Sequence, residues 1–460
     1  MTPRNVGKKN VGPKNRGQKN GEWRVGSGEW GVVSGKRQFP SRFPTPHSPL
    51  PIPYFFVWLL LAVLAVEAQR APELTREEKW RGDLMFLFAE LPKRHENLYF
   101  KITPERFDRE IAGIIESVPK VSDSEIKLAL RRLTAMIGDP HTRISYNVEK
   151  TYPLTLYQFS DGLFVTATTG EYKTALGAKL IKIGETDIGR AIEAVRPLVT
   201  YENEWRFKQQ FPYYLTDPEN LYLLKILPSA DEGDFTFDDG NGKQFVVKMR
   251  PVSTKEMIKF ITPFDSPPGK APLYLRNPER YYWYEYLPDS KALYLHYRRC
   301  ANMPSQPFNR FAAELSNFMD KNPVERMVID LRLNGGGDSI IFEPLIKAVS
   351  KRRDLNQKGR LFALIGRGTF SSACLNALKL KRETKAMLVG EPTGQRPNFY
   401  GEVETMTLPY SKLRVHYSTR YFKTMDGDPP ALAPDVQVVP SSSDYASGRD
   451  PVLERALSYR

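Results

Sequence analysis

Two stretches of the chain carry residues whose order could perform acyl transfer. "GRGTFSSACLNALKL", residues 366–380, runs from glycines through Ser371 and Ser372 into a segment with helical spacing. "VIDLRLNGGGD", residues 328–338, ends a strand-like run in three glycines and an aspartate. A serine between a strand and a helix N-terminus sits in the positive field of the helix, with the next residue's N–H pointing the same way. Consecutive glycines let backbone amides approach a bound oxygen closely, as an oxyanion hole requires. Taken singly, a Ser-Ser pair before a helix also reads as an N-cap and a triple glycine as a turn. Their occurrence after consecutive strands favours the chemical reading, with Ser371 as nucleophile.

A serine nucleophile needs a base, and the chain offers five histidines. His47 lies near the N-terminus, and His296 and His416 sit in strand-like runs ("KALYLHY", "LRVHYSTRYF") that read as core or surface. His95 follows Lys-Arg in a loop. His141 occupies a Gly-Asp-Pro-His-Thr turn in "MIGDPHTRI", between a helix and a strand, where a side chain can be presented rigidly. Residue types alone leave the choice among them open. Cys300 and Cys374 are the only cysteines, which excludes a disulfide scaffold and a CxxC metal site. They read as two buried thiols, with one disulfide as the alternative.

The elements that must position these residues follow from periodicity. Over residues 73–145, apolar residues recur at helical spacing in "WRGDLMFLFAEL", "FDREIAGIIESV" and "EIKLALRRLTAMI", predicting a helical N-terminal region of three helices. Residues 150–251 turn to short alternating runs with Gly and Asp turns and one helical stretch from Ile188, a β-rich module. The proline-rich stretch 252–281 reads as a linker or irregular arm. From 282 to 460, strands alternate with helices ("RMVIDL", "FEPLIKAVS", "LFALIG", "AMLVG"), predicting an α/β domain with a largely parallel sheet. In such sheets the loops at the carboxyl ends of strands carry the chemistry, and both glycine-bearing loops fall there.

The formal charge is +14, but residues 1–68 hold ten Lys and Arg against three Glu, half of that excess. The remainder has no basic cluster interleaved with aromatics, which argues against a nucleic-acid partner. Residues 1–50 are rich in Gly, Lys, Asn and then Pro, and are expected to be disordered or to be a leader upstream of the true start. Tyr54–Val66 is an unbroken apolar run, about 20 Å long as a helix against roughly 30 Å of bilayer hydrocarbon. Residues 51–68 therefore read as a secretory signal peptide with cleavage near Ala68, an uncleaved anchor being the alternative. Membrane contact would be transient and confined to this segment, and the mature chain secreted or periplasmic.

The chain resembles the carboxy-terminal processing (tail-specific) protease family of serine peptidases, and within it the tricorn-like branch. Five stretches carry the resemblance in family order: "MIGDPHTRI", "VIDLRLNGGGD", "GRGTFSSA", "LVGEPTGQRPN" and "APDVQV" with "GRDPVLERAL". The resemblance implies a crotonase-like (ClpP/crotonase type) α/β catalytic domain, a PDZ-like module and a helical N-terminal region. Carried over residue by residue, it implies Ser371 as nucleophile, His141 as base and the N–H groups of Gly336 and Ser372 as oxyanion hole. Two features depart from the pattern. The loop Thr393-Gly394-Gln395-Arg396-Pro397 lacks the lysine base of the processing branch, and Arg396 stays protonated, so an active enzyme must use His141. Pro140 precedes His141 where the tricorn branch has a serine. The carboxylate that orients the base has four candidates: Asp139, Glu402, Asp426 and Asp428.

The function so implied is an exported serine endopeptidase acting on unfolded or tail-exposed polypeptides through an acyl-enzyme on Ser371, without metal or cofactor. The alternative is a catalytically inactive peptide- or lipid-binding member of the same fold. Oligomeric state is not indicated by the sequence.

Overall fold

Three capped helices open the described part of the chain. α1 (Arg76–Arg94) starts at a capping box of Thr75 and Glu78, α2 (Pro104–Ser117) at Thr103 with proline in the first turn, and α3 (Asp123–Ile137) at a box of Ser122 and Glu125. α3 stops at Gly138, whose φ of 76° is the left-handed conformation glycine adopts without strain. A Cβ at Gly138 would also lie 2.5 Å from Lys101 Cδ. The chain turns there into Asp139-Pro140-His141 and then β1 (Arg143–Ser145).

The computed structural model describes residues 73–145, 148–260, 262–263 and 271–459. The leader and signal segment expected over residues 1–68 lie outside the described residues. Leu74–Arg460 form one compact unit. Among the described residues, no helix is long and apolar enough to cross a membrane.

After β2 (Lys150–Thr151) come β3 (Leu154–Phe159), β4 (Gly162–Thr168), β5 (Lys179–Ile183) and β6 (Thr186–Asp187). Three helices follow, α4 (Ile188–Val195), α5 (Glu204–Tyr214) and α6 (Pro218–Leu223), where periodicity reveals only the first. Phe207 and Phe211 of α5 and Leu221 of α6 bury against Leu180, Ile183, Phe235 and Phe237, so tertiary burial holds two helices too short and aromatic to announce themselves. β7 (Gly233–Asp238) and β8 (Gln244–Met249) complete an antiparallel sheet. The stretch beyond contains β9 (Val252–Ser253), which pairs with β2, then α7 (Thr254–Phe260) and β10 (Thr262–Pro263), which pairs with β4. The sheet order is β10-β4-β5-β7-β8, with β3 beside β4 and β6 beside β5.

The second sheet has the order expected of alternating strands and helices. β11 (Tyr282–Leu287) pairs antiparallel with β12 (Ala292–Tyr297). After α8 (Phe308–Lys321) come β13 (Arg326–Asp330), α9 (Glu343–Ser350), β14 (Leu361–Ile365), α10 (Ser372–Glu383) and β15 (Met387–Gly390). β12, β13, β14 and β15 are parallel neighbours in that order. Both faces are covered, which is why these strands read as continuous apolar runs. Leu293, Met327 and Leu361 face one core with α8, α9 and α10. Tyr294, Val328 and Phe362 face another.

The last third of the chain returns to its beginning. β16 (Phe399–Thr407) and β17 (Arg414–Phe422) form a hairpin, and β1 pairs with β17, Arg143 opposite His416. Met406, Leu408, Leu413 and Val415 enter one core with Trp80, Leu84, Leu87, Ile126 and Leu130 of the N-terminal helices. The carboxylate of Asp83, fully buried on α1, accepts the N–H groups of Tyr410 and Ser411 at 2.7 Å each and clamps the hairpin turn. β18 (Val436–Gln437) then joins β15, and α11 (Ser442–Ala446) and α12 (Pro451–Leu457) end the fold, Val452 and Leu453 packing on the second face of the sheet.

Removing the buried Asp83 carboxylate leaves two N–H groups of the partly buried hairpin turn without their acceptor, each worth roughly 1–3 kcal/mol. Asp83→Ala is expected to lower unfolding free energy by about 2–4 kcal/mol, while Glu77→Ala on the exposed face of α1 changes it by less than about 0.5 kcal/mol. Urea titration followed by circular dichroism reads both.

Candidate active site

Ser371 stands between β14 and α10 with φ 53° and ψ −127°, a conformation that strains any residue but glycine. Strain of this kind, of order 1–3 kcal/mol, persists only where the surroundings impose it. Here the surroundings are two loops bound to each other. Thr369 Oγ1 donates to Leu331 O at 2.9 Å, and Phe370 N–H donates to Asn334 O at 3.0 Å. Ser372 Oγ donates to Gly337 O at 2.5 Å. A Cβ at Gly336 would fall 2.7 Å from Ser371 Cβ, so only glycine permits this approach. The geometry is that of a nucleophile elbow, a strand-to-helix turn presenting a strained serine, although the sequence lacks the GxSxG spacing.

Of the two amides expected to line an oxyanion hole, one has a partner within the protein. Ser372 N–H, in the first turn of α10, has no acceptor among the described residues, as helix starts leave it. Gly336 N–H is already donated to Asn334 Oδ1 at 2.9 Å. Asn334 is fully buried and also donates to Tyr297 O at 2.9 Å, so its carbonyl is fixed toward the glycine loop. Gly337 N–H, one residue on, has no acceptor among the described residues.

His141 is brought to this turn from the other end of the chain. Its ring lies 4.7 Å from the Phe370 ring and 5.9 Å from that of Phe399, the first residue of β16. Nδ1 is buried 3.6 Å from Asp139 Oδ1, and no hydrogen-bond partner takes it. Ser371 Oγ and His141 form no hydrogen bond, a distance that substrate-free sites often leave open.

Asp139 is the carboxylate of this site. It accepts His141 N–H at 2.9 Å, Thr142 Oγ1 at 2.6 Å, Ser418 Oγ at 2.6 Å and His95 Nε2 at 3.2 Å. Asn97 N–H donates to His95 Nδ1 at 3.0 Å, which fixes the proton of neutral His95 on Nε2, toward Asp139. Burial alone would raise the Asp139 carboxyl, but hydrogen bonds from His141 and His95 outweigh it and hold the group far below the usual carboxylate range. His95, read as a loop residue, is thus a positioning residue of the site, and nothing in its sequence surroundings signals this.

The other carboxylate candidates are elsewhere. Glu402 lies within β16 at φ 59°, its exposed side chain 4.0 Å from exposed Arg420. Asp426 is exposed in the turn after β17, and Asp428 pairs with Arg396. Of the remaining histidines, His296 is buried against Trp283 and Tyr294, and His416 bonds Ser145 and Thr405. Both cysteines are free and buried, and burial pushes the Cys300 thiol up to about 11 and that of Cys374 to about 12, which removes them as nucleophiles.

Where the lysine is missing, Gln395 takes a different part. Fully buried, it accepts Ser371 N–H at 3.2 Å and donates to Glu202, which also accepts Arg396 N–H at 2.9 Å. Burial, with the charge of Asp139 adding to it, pushes the Glu202 carboxyl up to about 8 against the opposing hydrogen bond from Arg396 N–H and the charges of Lys101 and Arg396. Asn203, the N-cap of α5, donates to Thr393 O at 3.1 Å and Pro430 O at 2.7 Å, tying α5 to the same loop.

A carboxyl depressed in the folded state contributes stability that is fully present above its unfolded pKa, about 4, and is lost as pH falls toward its folded value. Asp139→Asn should therefore lower stability at pH 7 and flatten the acid limb below about pH 4. Urea unfolding at a series of pH values between about 2 and 7 measures both slopes.

No protein-family model matches the chain, and no curated protein matches it in sequence. Solved structures do match. Mature CPAF complexed with lactacystin is 13% identical, with a TM-score of 0.58 over 83% of this chain and 98% of that one. Mature CPAF is 12% identical, with a TM-score of 0.53 over 83% and 96%. A serine-to-alanine mutant of CPAF gives 12% and 0.53 over 84% and 98%. The chain therefore has the mixed α/β fold of CPAF along almost all of that protein's length.

Proposed function

We propose that this chain is a serine-type endopeptidase of the carboxy-terminal processing family, closest in pattern to the tricorn-like branch, acting on unfolded or tail-exposed polypeptide. The observation that carries the reading is the strained Ser371 at a strand-to-helix turn, with the buried Asp139–His141 pair packed against the adjacent Phe370. The motif resemblance and the shared fold with CPAF support it.

In this reading the charge of Asp139, 3.6 Å from Nδ1, favours the His141 proton on Nδ1, and a small closure on substrate binding would complete that hydrogen bond, so Nε2 is free to take the proton of Ser371 Oγ. Oγ attacks the scissile carbonyl, and the oxyanion is stabilised by Ser372 N–H and the free Gly337 N–H of the glycine loop. The proton passes to the leaving amine, and water hydrolyses the acyl-enzyme by the reverse route. Residues 282–460 form the crotonase-type catalytic part and residues 150–251 the PDZ-like module that holds substrate as an added strand. The signal segment at 51–68 exports the chain to a secreted or periplasmic location.

One observation favours a second reading, a binding protein of the same fold: Ser371 and His141 share no hydrogen bond in this structure.

Fluorophosphonate labelling followed by peptide mapping separates the two. The expected result is modification of Ser371, lost in His141→Ala, and a fall in peptide turnover on the order of 10⁶ in Ser371→Ala. Absence of labelling in folded protein selects the binding reading.

A further inference from the structure

Arg206 lies on α5, next to the core residue Phe207, and against the loop that carries Ser371. Its guanidinium stacks 3.8 Å from the centre of the Phe370 ring, and a Cβ at Gly394 would lie 3.6 Å from its Cα. Its Nε is buried without a hydrogen-bond partner, and no carboxylate pairs with the guanidinium among the described residues. Arg143, two residues beyond His141, is the nearest like charge. Its side chain likewise has no ion-pair partner among the described residues. Burial, and then Arg143, draw the Arg206 pKa down to about 10, so it remains a cation at neutral pH. Glu202, four residues before Arg206 and just ahead of the N-cap of α5, does not neutralise it. Its carboxyl is pushed up to about 8, and its Oε1 is engaged by Gln395 and Arg396.

A partly buried guanidinium whose Nε is shut away from water and that has no anion is a costly arrangement, and stacking on an aromatic face offsets only part of that cost. The other arginines lining the catalytic loops are satisfied: Arg332 by Asp330 and Asp450, and Arg367 by Glu391. Arg206 is the exception, and it stands beside the residue preceding the nucleophile. A planar guanidinium fork matches a carboxylate in two parallel hydrogen bonds.

We propose that Arg206, assisted by Arg143, forms a subsite that binds a carboxylate of the peptide substrate next to Ser371, giving the site a preference for acidic peptides. The assignment rests on the peptidase reading for its place in catalysis, but binding tests it independently. The carboxylate has two sources, a Glu or Asp side chain near the scissile bond or a free peptide C-terminus, and four peptides distinguish them.

Full-length protein carrying Ser371→Ala is titrated with fluorescent peptides of one sequence that contain Glu or Gln at the central position, each with an amidated or a free C-terminus. The expected result is binding about ten- to a hundredfold tighter for a carboxylate-bearing peptide than for the amidated Gln peptide. The added substitution Arg206→Gln should bring that ratio toward one, with Arg206→Lys intermediate because it keeps the charge and loses the fork. A gain from central Glu identifies the side chain as the source, and a gain from the free terminus identifies the C-terminus. Equal binding of all four peptides, or a preference that survives Arg206→Gln, overturns the subsite. If Arg206→Gln does not fold, Arg143→Gln carries the test, since it should reduce the ratio severalfold and an unchanged ratio overturns the proposal. Labelling of Ser371 in the unsubstituted protein separates this from the wider reading. Labelling without acid preference removes the subsite alone, whereas acid preference without labelling removes the peptidase and leaves the subsite.

Discussion

The carboxylate of Asp139 is buried beside two histidines, a threonine and a serine, and the arrangement of the site depends on its being charged there. An isolated buried carboxylate would be expelled or protonated, so its depressed proton affinity measures how fully its neighbours solvate it. Those neighbours come from three places in the chain: the loop after α1, the turn between α3 and β1, and the middle of β17. A single small anion thus joins the N-terminal helices, the C-terminal hairpin and the imidazole of His141. Its hydrogen bonds explain why the hairpin must return to the helices, since Ser418 can reach Asp139 only when β17 lies beside β1.

The second anchor lies on the opposite side of Ser371. Gln395 holds the serine's own backbone N–H and hands its amide to Glu202, while Asn203 ties the start of α5 to Thr393 and Pro430. The β-rich module is therefore coupled to Ser371 through side-chain amides, and a shift of α5 would carry the loop that sets the Ser371 backbone. The strain at Ser371 is sustained by this coupling on one side and by the close approach of Gly336 on the other.

Legibility of the sequence followed the range of the interactions. α1, α2 and α3 are visible because capping boxes and 3.6-residue periodicity are local. β12, β13, β14 and β15 are visible because strands buried on both faces are apolar throughout, and the loops between them carry glycine where backbones meet. Ser371 and His141 could be named from their motifs. Asp139 could be named only as one carboxylate among four, because Glu402, Asp426 and Asp428 are set apart from His141 only by where β16 and the turn after β17 place their side chains. His95, Gln395, Glu202 and Arg206 were beyond reach: each acts through a partner distant in sequence, and none lies in a recognisable spacing. The partner of the Gly336 N–H is local, Asn334 two residues earlier, yet which acceptor it meets depends on how the folded glycine loop turns.

The amino-acid sequence by itself determined the vocabulary of the candidate site, a serine before a helix, a glycine loop and a histidine in a rigid turn, because strand, helix and turn propensities act over a few residues. It also set the alternation that orders the parallel sheet. Only the tertiary structure decided which carboxylate meets His141, which amides remain free beside Ser371 and which arginine is left without an anion. Those choices depend on desolvation and on contacts between residues hundreds of positions apart, and burial is a property of the folded chain rather than of any segment within it.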